Sequence, residues 1–226
     1  TLLESLQQIC LRHGEEVPYY KQLFQTIETI INLIDNDDMP FCLRFVEDVF
    51  PYMEKFHYAQ GMDLVLKHLT ELMKDDVVGS ISDRALLMDY RACCEKKPDK
   101  AIKLEKDAIA MLAEITSDNA LLAANLHANL GGMYRQSGKY EQAKQYMEQG
   151  IKLLEQFGLV PYHDSIPQIT NYAVLLTEMG QPDTGLSALR KLSRVIREYN
   201  SDQTIDYASV QEAMGNICLT IGDVQQ

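Results

Sequence analysis

Apolar and small residues between 127 and 151 recur with the period of a helix. His127, Leu130, Gly131 and Tyr134 stand at i, i+3, i+4 and i+7, one stripe of an amphipathic helix. Gly138 interrupts the pattern, and Tyr140, Ala143, Met147 and Ile151 begin a second stripe. A glycine in that place supplies the left-handed residue that ends a helix. Gly131 and Ala143 are small, which lets two helices joined at Gly138 approach closely while larger neighbours fill the remaining volume. The same period predicts helices over 2–12, 18–34, 41–53, 57–74, 82–95, 99–115, 120–136, 140–157, 165–179, 183–199 and 204–220. Loops are expected at 35–39, 75–80, 116–119, 158–164 and 200–203, and Pro51 should kink or shorten the third helix. Strands find almost no support, so the chain reads as all-α.

The hairpin recurs. From Tyr140 a fixed interval of 42 reaches Pro182 and then Val224, and the same interval backward reaches Pro98 and Phe56. Three residues after these turn positions stand Ala59, Ala101, Ala143 and Gly185. Upstream, Leu130-Gly131 aligns with Tyr172-Ala173 and Met214-Gly215, and Tyr134 aligns with Leu176 and Cys218. Gly14 marks the first turn with the weakest match. Pro98 and Pro182 open second helices, where the missing amide hydrogen would have had no partner anyway. A fixed interval of this kind signals one supersecondary unit stacked repeatedly. Before residue 115 the pattern degrades, with Asp89 and Glu47 where a small residue is expected.

At Leu130, Gly131, Tyr134, Gly138, Tyr140 and Ala143, and less tightly through Met147 and Gly150, the sequence resembles the tetratricopeptide repeat family. The interval of 42 exceeds that family's common spacing of about 34. It is similar to the longer-helix repeats of kinesin light chains and many bacterial regulators. The resemblance implies a right-handed superhelical solenoid of antiparallel helix pairs. One array of about five repeats would fill 1–226, degenerate in 1–115 and well matched in 120–226. It implies a non-enzymatic protein- or peptide-binding scaffold, part of a larger regulator or adaptor. The alternative is a ligand-sensing arm of a signalling ATPase or transcription regulator. The chain opens on Thr1 and stops just after Gly222, so a piece of a longer protein is expected. The helix bearing Ala213, Met214, Ile217, Cys218 and Ile221 would then lack its cover, which leaves self-association through it open.

First helices line the concave face in such arrays, and groups there recur at the repeat interval. Asn129 and Asn171 are one such interval apart. In related proteins that bind extended peptides, an asparagine in this register grips the peptide backbone. An amide suits that task because it donates to one backbone carbonyl and accepts from one backbone N–H. Asn125, Arg135 and Gln136 flank the same groove, and Glu178 joins them as a residue that would set specificity. Leu87 and Ala213 occupy the equivalent places in adjacent repeats, so the ladder is short. The plainer reading is a solvated polar face or a set of polar contacts between helices. A basic clamp for carboxylate tails is not evident, since Arg135 is its one cation.

Composition narrows the rest. A net charge of −12 argues against duplex nucleic acid, which requires a basic surface. No apolar run approaches the ~18 residues of a membrane span. The five cysteines are odd in number and lack CxxC spacing, which suits reduced thiols and a cytoplasmic location. The stretch "GGMYRQSGKY" at 131–140 imitates a phosphate loop but has five residues where the motif needs four, and Tyr140 replaces the magnesium-binding hydroxyl. Glu54 and His57 give one ExxH, whereas a di-iron bundle needs two. Cys93-Cys94 and His127 read as packing residues, and no nucleophile accompanies His163-Asp164. No catalytic residue, metal or cofactor is therefore assigned, and the expected partner is a protein or an extended peptide.

Overall fold

The computed structural model describes residues 59–72, 80–161, 165–199 and 204–222. The expected helices over 2–12, 18–34 and 41–53, and the expected loops at 35–39 and 200–203, lie outside the described residues. So do Gly14, Glu47, Pro51, the Glu54–His57 pair, Phe56, His163-Asp164 and Val224. Eight α-helices and no strand occur among the described residues. They are α1 (Ala59–Leu72), α2 (Ile81–Cys94), α3 (Pro98–Met111), α4 (Ala120–Gln136), α5 (Tyr140–Gln156), α6 (Ile166–Glu178), α7 (Pro182–Tyr199) and α8 (Ile205–Thr220). The chain divides into two compact units, Thr1–Met111 and Leu112–Gln226. In the first, α2 packs on both α1 and α3. In the second, α4 pairs with α5 and α6 with α7, while α6 also touches α4, α5 and α8.

Local chemistry sets the helix ends. Ser80 caps α2 by accepting from the Asp83 amide at 3.1 Å, and the Asp83 carboxylate accepts from the Ser80 amide at 2.7 Å. This reciprocal box satisfies two amides that the helix itself leaves unpaired. Pro98 and Pro182 are the first residues of α3 and α7. Gly138, Gly180 and Gly222 have φ of 70°, 75° and 75°, a conformation that costs a residue with a Cβ. After α4, Lys139 N donates to Tyr134 O at 2.9 Å and Gly138 N to Arg135 O at 3.0 Å. After α6, Gln181 N donates to Leu176 O at 2.8 Å and Gly180 N to Thr177 O at 3.0 Å. These are the two bonds of a Schellman ending, repeated one interval further along the chain.

The interior keeps the same register. Asp89, Ala92, Ala101, Glu105, Ala108 and Leu112 are buried, and so are Gly131, Tyr134, Ala143, Met147, Gly150 and Leu154 at the corresponding places. Ala173, Leu176, Gly185, Leu189, Leu192 and Ile196 repeat the set a third time. Small residues mark the close approaches. A Cβ on Gly131 would lie 2.5 Å from Met147 Cγ and 3.0 Å from Ala143 O, and one on Gly185 would lie 2.6 Å from Ala173 O.

One boundary differs from expectation. The helix expected over 99–115 ends at Met111. The Asn119 side chain instead accepts from Thr116 N at 2.8 Å and donates to Glu114 O at 3.0 Å. Thr116, Ser117, Asp118 and Asn119 favour such local bonds over a further helical turn. Leu112 stays buried all the same, at the place that Leu154 holds inside α5.

Candidate functional site

Helices α4 and α6 are the first helices of two consecutive hairpins, and side chains link them directly. Gln168 donates through Nε2 to Asn125 Oδ1 at 2.5 Å. Ten residues further along each helix, Arg135 donates through Nε and Nη2 to the two carboxylate oxygens of Glu178, at 2.7 and 2.6 Å. At 1.5 Å rise per residue the two rungs stand about 15 Å apart. A bidentate guanidinium–carboxylate pair fixes orientation as well as distance. The bond to Glu178 raises the Arg135 pKa above its already high value, and the bond from Arg135 holds Glu178 below the usual carboxylate range.

The two asparagines lie between these rungs along the helix axes. Asn129 is half-buried one turn beyond Asn125, and its side chain or backbone is already engaged within the molecule. Asn171 is exposed, one turn beyond Gln168. Gln136 is exposed at the end of α4. Beside Asn171, Tyr172 donates its hydroxyl to Glu148 Oε1 of α5 at 2.6 Å. Burial first, and then that carboxylate, raise the Tyr172 pKa, so the phenol stays a donor.

Behind this face the packing is aromatic. Tyr134 and Tyr146 stack with centroids 5.5 Å apart, and His127 tilts against Tyr146 at 6.2 Å. His127 Nδ1 lies 2.7 Å from the carbonyl of Ala123 one turn earlier. That pairing makes it a satisfied helix-packing histidine. Among the described residues no three His, Cys, Asp or Glu side chains are grouped to hold a metal ion, and no described helix is long and apolar enough to cross a membrane.

The profile of the tetratricopeptide repeat matches residues 124–156. These residues form a tetratricopeptide repeat. The match spans Asn125, Asn129, Arg135 and Gln136 and ends with α5. No curated protein matches the sequence. Solved structures extend the likeness across the chain. BtubC (BKLC) of P. vanneervenii is 16% identical, covers 100% of this chain and 86% of its own, and superposes with a TM-score of 0.62. A kinesin light chain candidate of Podosopora anserina with nearly identical TPR-like repeats is 11% identical over 84% of this chain and 87% of its own. Its TM-score is 0.59, and 0.60 for a single-substitution variant of it. Identities this low establish the shared fold. The described residues thus share the all-helical, TPR-like repeat fold of these structures.

Within the repeat frame the six sequence-derived site residues separate by role. Asn125, Arg135 and Glu178 are joined to side chains of the neighbouring first helix. Gln136 and Asn171 are exposed, and Asn129 is half-buried and engaged within the molecule. Gln168, the partner of Asn125, is not picked out by the sequence pattern. Its signal is spacing, because Asn125–Gln168 and Arg135–Glu178 are both separated by 43, the repeat interval plus one.

Proposed function

We propose that this chain is a non-enzymatic protein-binding scaffold, working as part of a larger regulator or adaptor, that holds an extended peptide or partner tail along α4 and α6. Asn129 and Asn171 hold the ligand backbone, and Gln136 with the Arg135–Glu178 pair selects side chains beside it. The reading is supported above all by the exposed amide of Asn171, set one repeat interval after Asn129 in a lane bounded by two polar rungs. Tetratricopeptide repeats are scaffolds that generally mediate protein interactions, so the fold agrees with this role. Neighbouring first helices about 10 Å apart span about three residues of extended chain, so one extended peptide crossing both helices could reach both asparagines. The net charge of −12 favours basic ligands, whose association would slow as salt rises.

The test is selection of peptides from a random displayed library on the immobilised chain. Affinity of the enriched peptide is then measured on Asn129→Ala plus Asn171→Ala. Loss of each backbone contact should weaken binding by about 1 kcal/mol while the double variant remains folded. Unchanged affinity in a folded double variant would sink the asparagine ladder.

A further inference from the structure

The α2–α3 hairpin departs from its neighbours at one paired position. In α4–α5 that pair is Gly131 and Met147, with the Met147 Cγ 2.5 Å from where a Gly131 Cβ would stand. In α6–α7 it is Ala173 and Leu189, both fully buried. In α2–α3 the same two places hold Asp89 and Glu105. Both apolar members have been exchanged for carboxyl groups, and both remain inside, Asp89 at 6% and Glu105 at 0% exposure.

We propose that Asp89 and Glu105 form a one-proton latch that makes closure of the α2–α3 hairpin pH-sensitive, tightening it as the medium is acidified.

Two carboxylates cannot both keep their charge at such a site, because an unpaired buried charge is far costlier than a neutral acid. Neither oxygen of Glu105 has a hydrogen-bond partner at ordinary geometry. Its own helix surrounds it with buried Ala101, Ile102 and Ala108. From α2 the titratable groups at this face are Asp89 and Cys93, whose Sγ donates to Asp89 Oδ1 at 3.8 Å, with Cys94 beside them. From α1, which packs on α2, the half-buried titratable side chain is His68, with Nε2 buried and unpartnered, while Lys67 and Glu71 are exposed. Burial first, and then the charge of Asp89, push the Glu105 pKa up to about 10. A protonated Glu105 gains an O–H that it can donate to Asp89, so one proton removes the like-charge repulsion, leaves a single negative charge on the pair and bonds it.

The direction follows from proton counting. The closed hairpin keeps the Glu105 proton, whereas the open chain releases it above the ordinary value of 4.5. Between these limits the open state binds one proton fewer, so closure loses about tenfold for every pH unit of rise and gains it on every unit of fall. A drop of two units, from about pH 7.5 to 5.5, should favour the closed hairpin about a hundredfold. An ordinary, partnered carboxylate would act in the opposite sense.

The test uses the full chain. Carboxyl-carbon NMR of the wild type should show Glu105 failing to titrate between about pH 4 and 6. Urea unfolding of wild type, Glu105→Gln and the double variant Asp89→Gly plus Glu105→Met should be compared at about pH 5.5 and 7.5. The double variant restores the pair that α4–α5 uses, so it guards against misfolding of the single one. The wild type should gain up to about a hundredfold more in its folding constant on acidification than the double variant does. A Glu105 carboxyl that titrates in the ordinary range, or equal pH responses of wild type and double variant, would overturn the latch.

Discussion

Gly185 offers a direct test of how closely the hairpins are packed. A methyl group there would lie 2.6 Å from the carbonyl oxygen of Ala173, and 3.3 and 3.4 Å from its C and Cα. Ordinary contact begins near about 3.5 Å, so the overlap approaches about 1 Å. The obstacle is main chain in the middle of α6, which has no rotamer to escape into. Relief requires α6 and α7 to separate, and over-packing of this order costs about 1–3 kcal/mol. Alanine returns at most about 1 kcal/mol of helix propensity, and less in the first turn, where Gly185 sits. Gly185→Ala should therefore lose about 1–2 kcal/mol net. For a unit of this size that lowers the melting temperature by about 4–8 °C. Gly132→Ala and Gly215→Ala are the controls, since nothing lies within 4 Å of a Cβ at either place. Each should gain about 0.5–1 kcal/mol. Thermal unfolding followed by circular dichroism on the three variants decides the matter. If Gly185→Ala melts at or above the wild type, the close approach is not a constraint and the reasoning fails.

Gly138→Ala and Gly180→Ala should each cost about 1–2 kcal/mol although both sites are open, because φ is 70° and 75°; urea midpoints equal to wild type would contradict this. A double-mutant cycle on Arg135→Ala and Glu178→Ala should return a coupling below about 1 kcal/mol, since the side chains are 31% and 36% exposed. That coupling should shrink in concentrated salt. It should be complete above the ordinary carboxylate range and vanish as pH falls through the lowered Glu178 value. Coupling that persists at about pH 2 would show that the link is not ionic.

Helix positions are largely legible because the hydrophobic stripes and their stop signals are local. The bounds expected for 120–136 coincide with α4, and those for α5 to α8 fall within a residue at each end. Among the described helices only α3 stops well short of its stripe, because Asn119 captures the chain after Met111 through bonds that no stripe announces. The groups of the candidate site are partly legible. A repeat interval brings out residues that share a register, and it singles out Asn129 and Asn171. It does not bring out lateral partners. Arg135 and Glu178 both stand out in the sequence, yet their union depends on the one-residue offset between stacked helices. Asp89 stands out as a polar intruder among small residues, but its counterpart Glu105 does not, because a glutamate on a helix looks like solvated surface until its burial is known.

Three glycines with nearly one φ close α4, α6 and α8 within the second unit. Each joint presents the same backbone geometry to whatever follows it. The segment from Lys139 to Gly180 is therefore a cassette with interchangeable ends. Excising it would place Gln181 and Pro182 directly after Gly138, a stop followed at once by a start, and would set Gly131 opposite Gly185, small against small. Duplicating it would add a hairpin with both junctions already formed. Length is thus a trait this chain can change one helix pair at a time, by recombination at the turns, with the newly paired helices meeting through small residues in the same register.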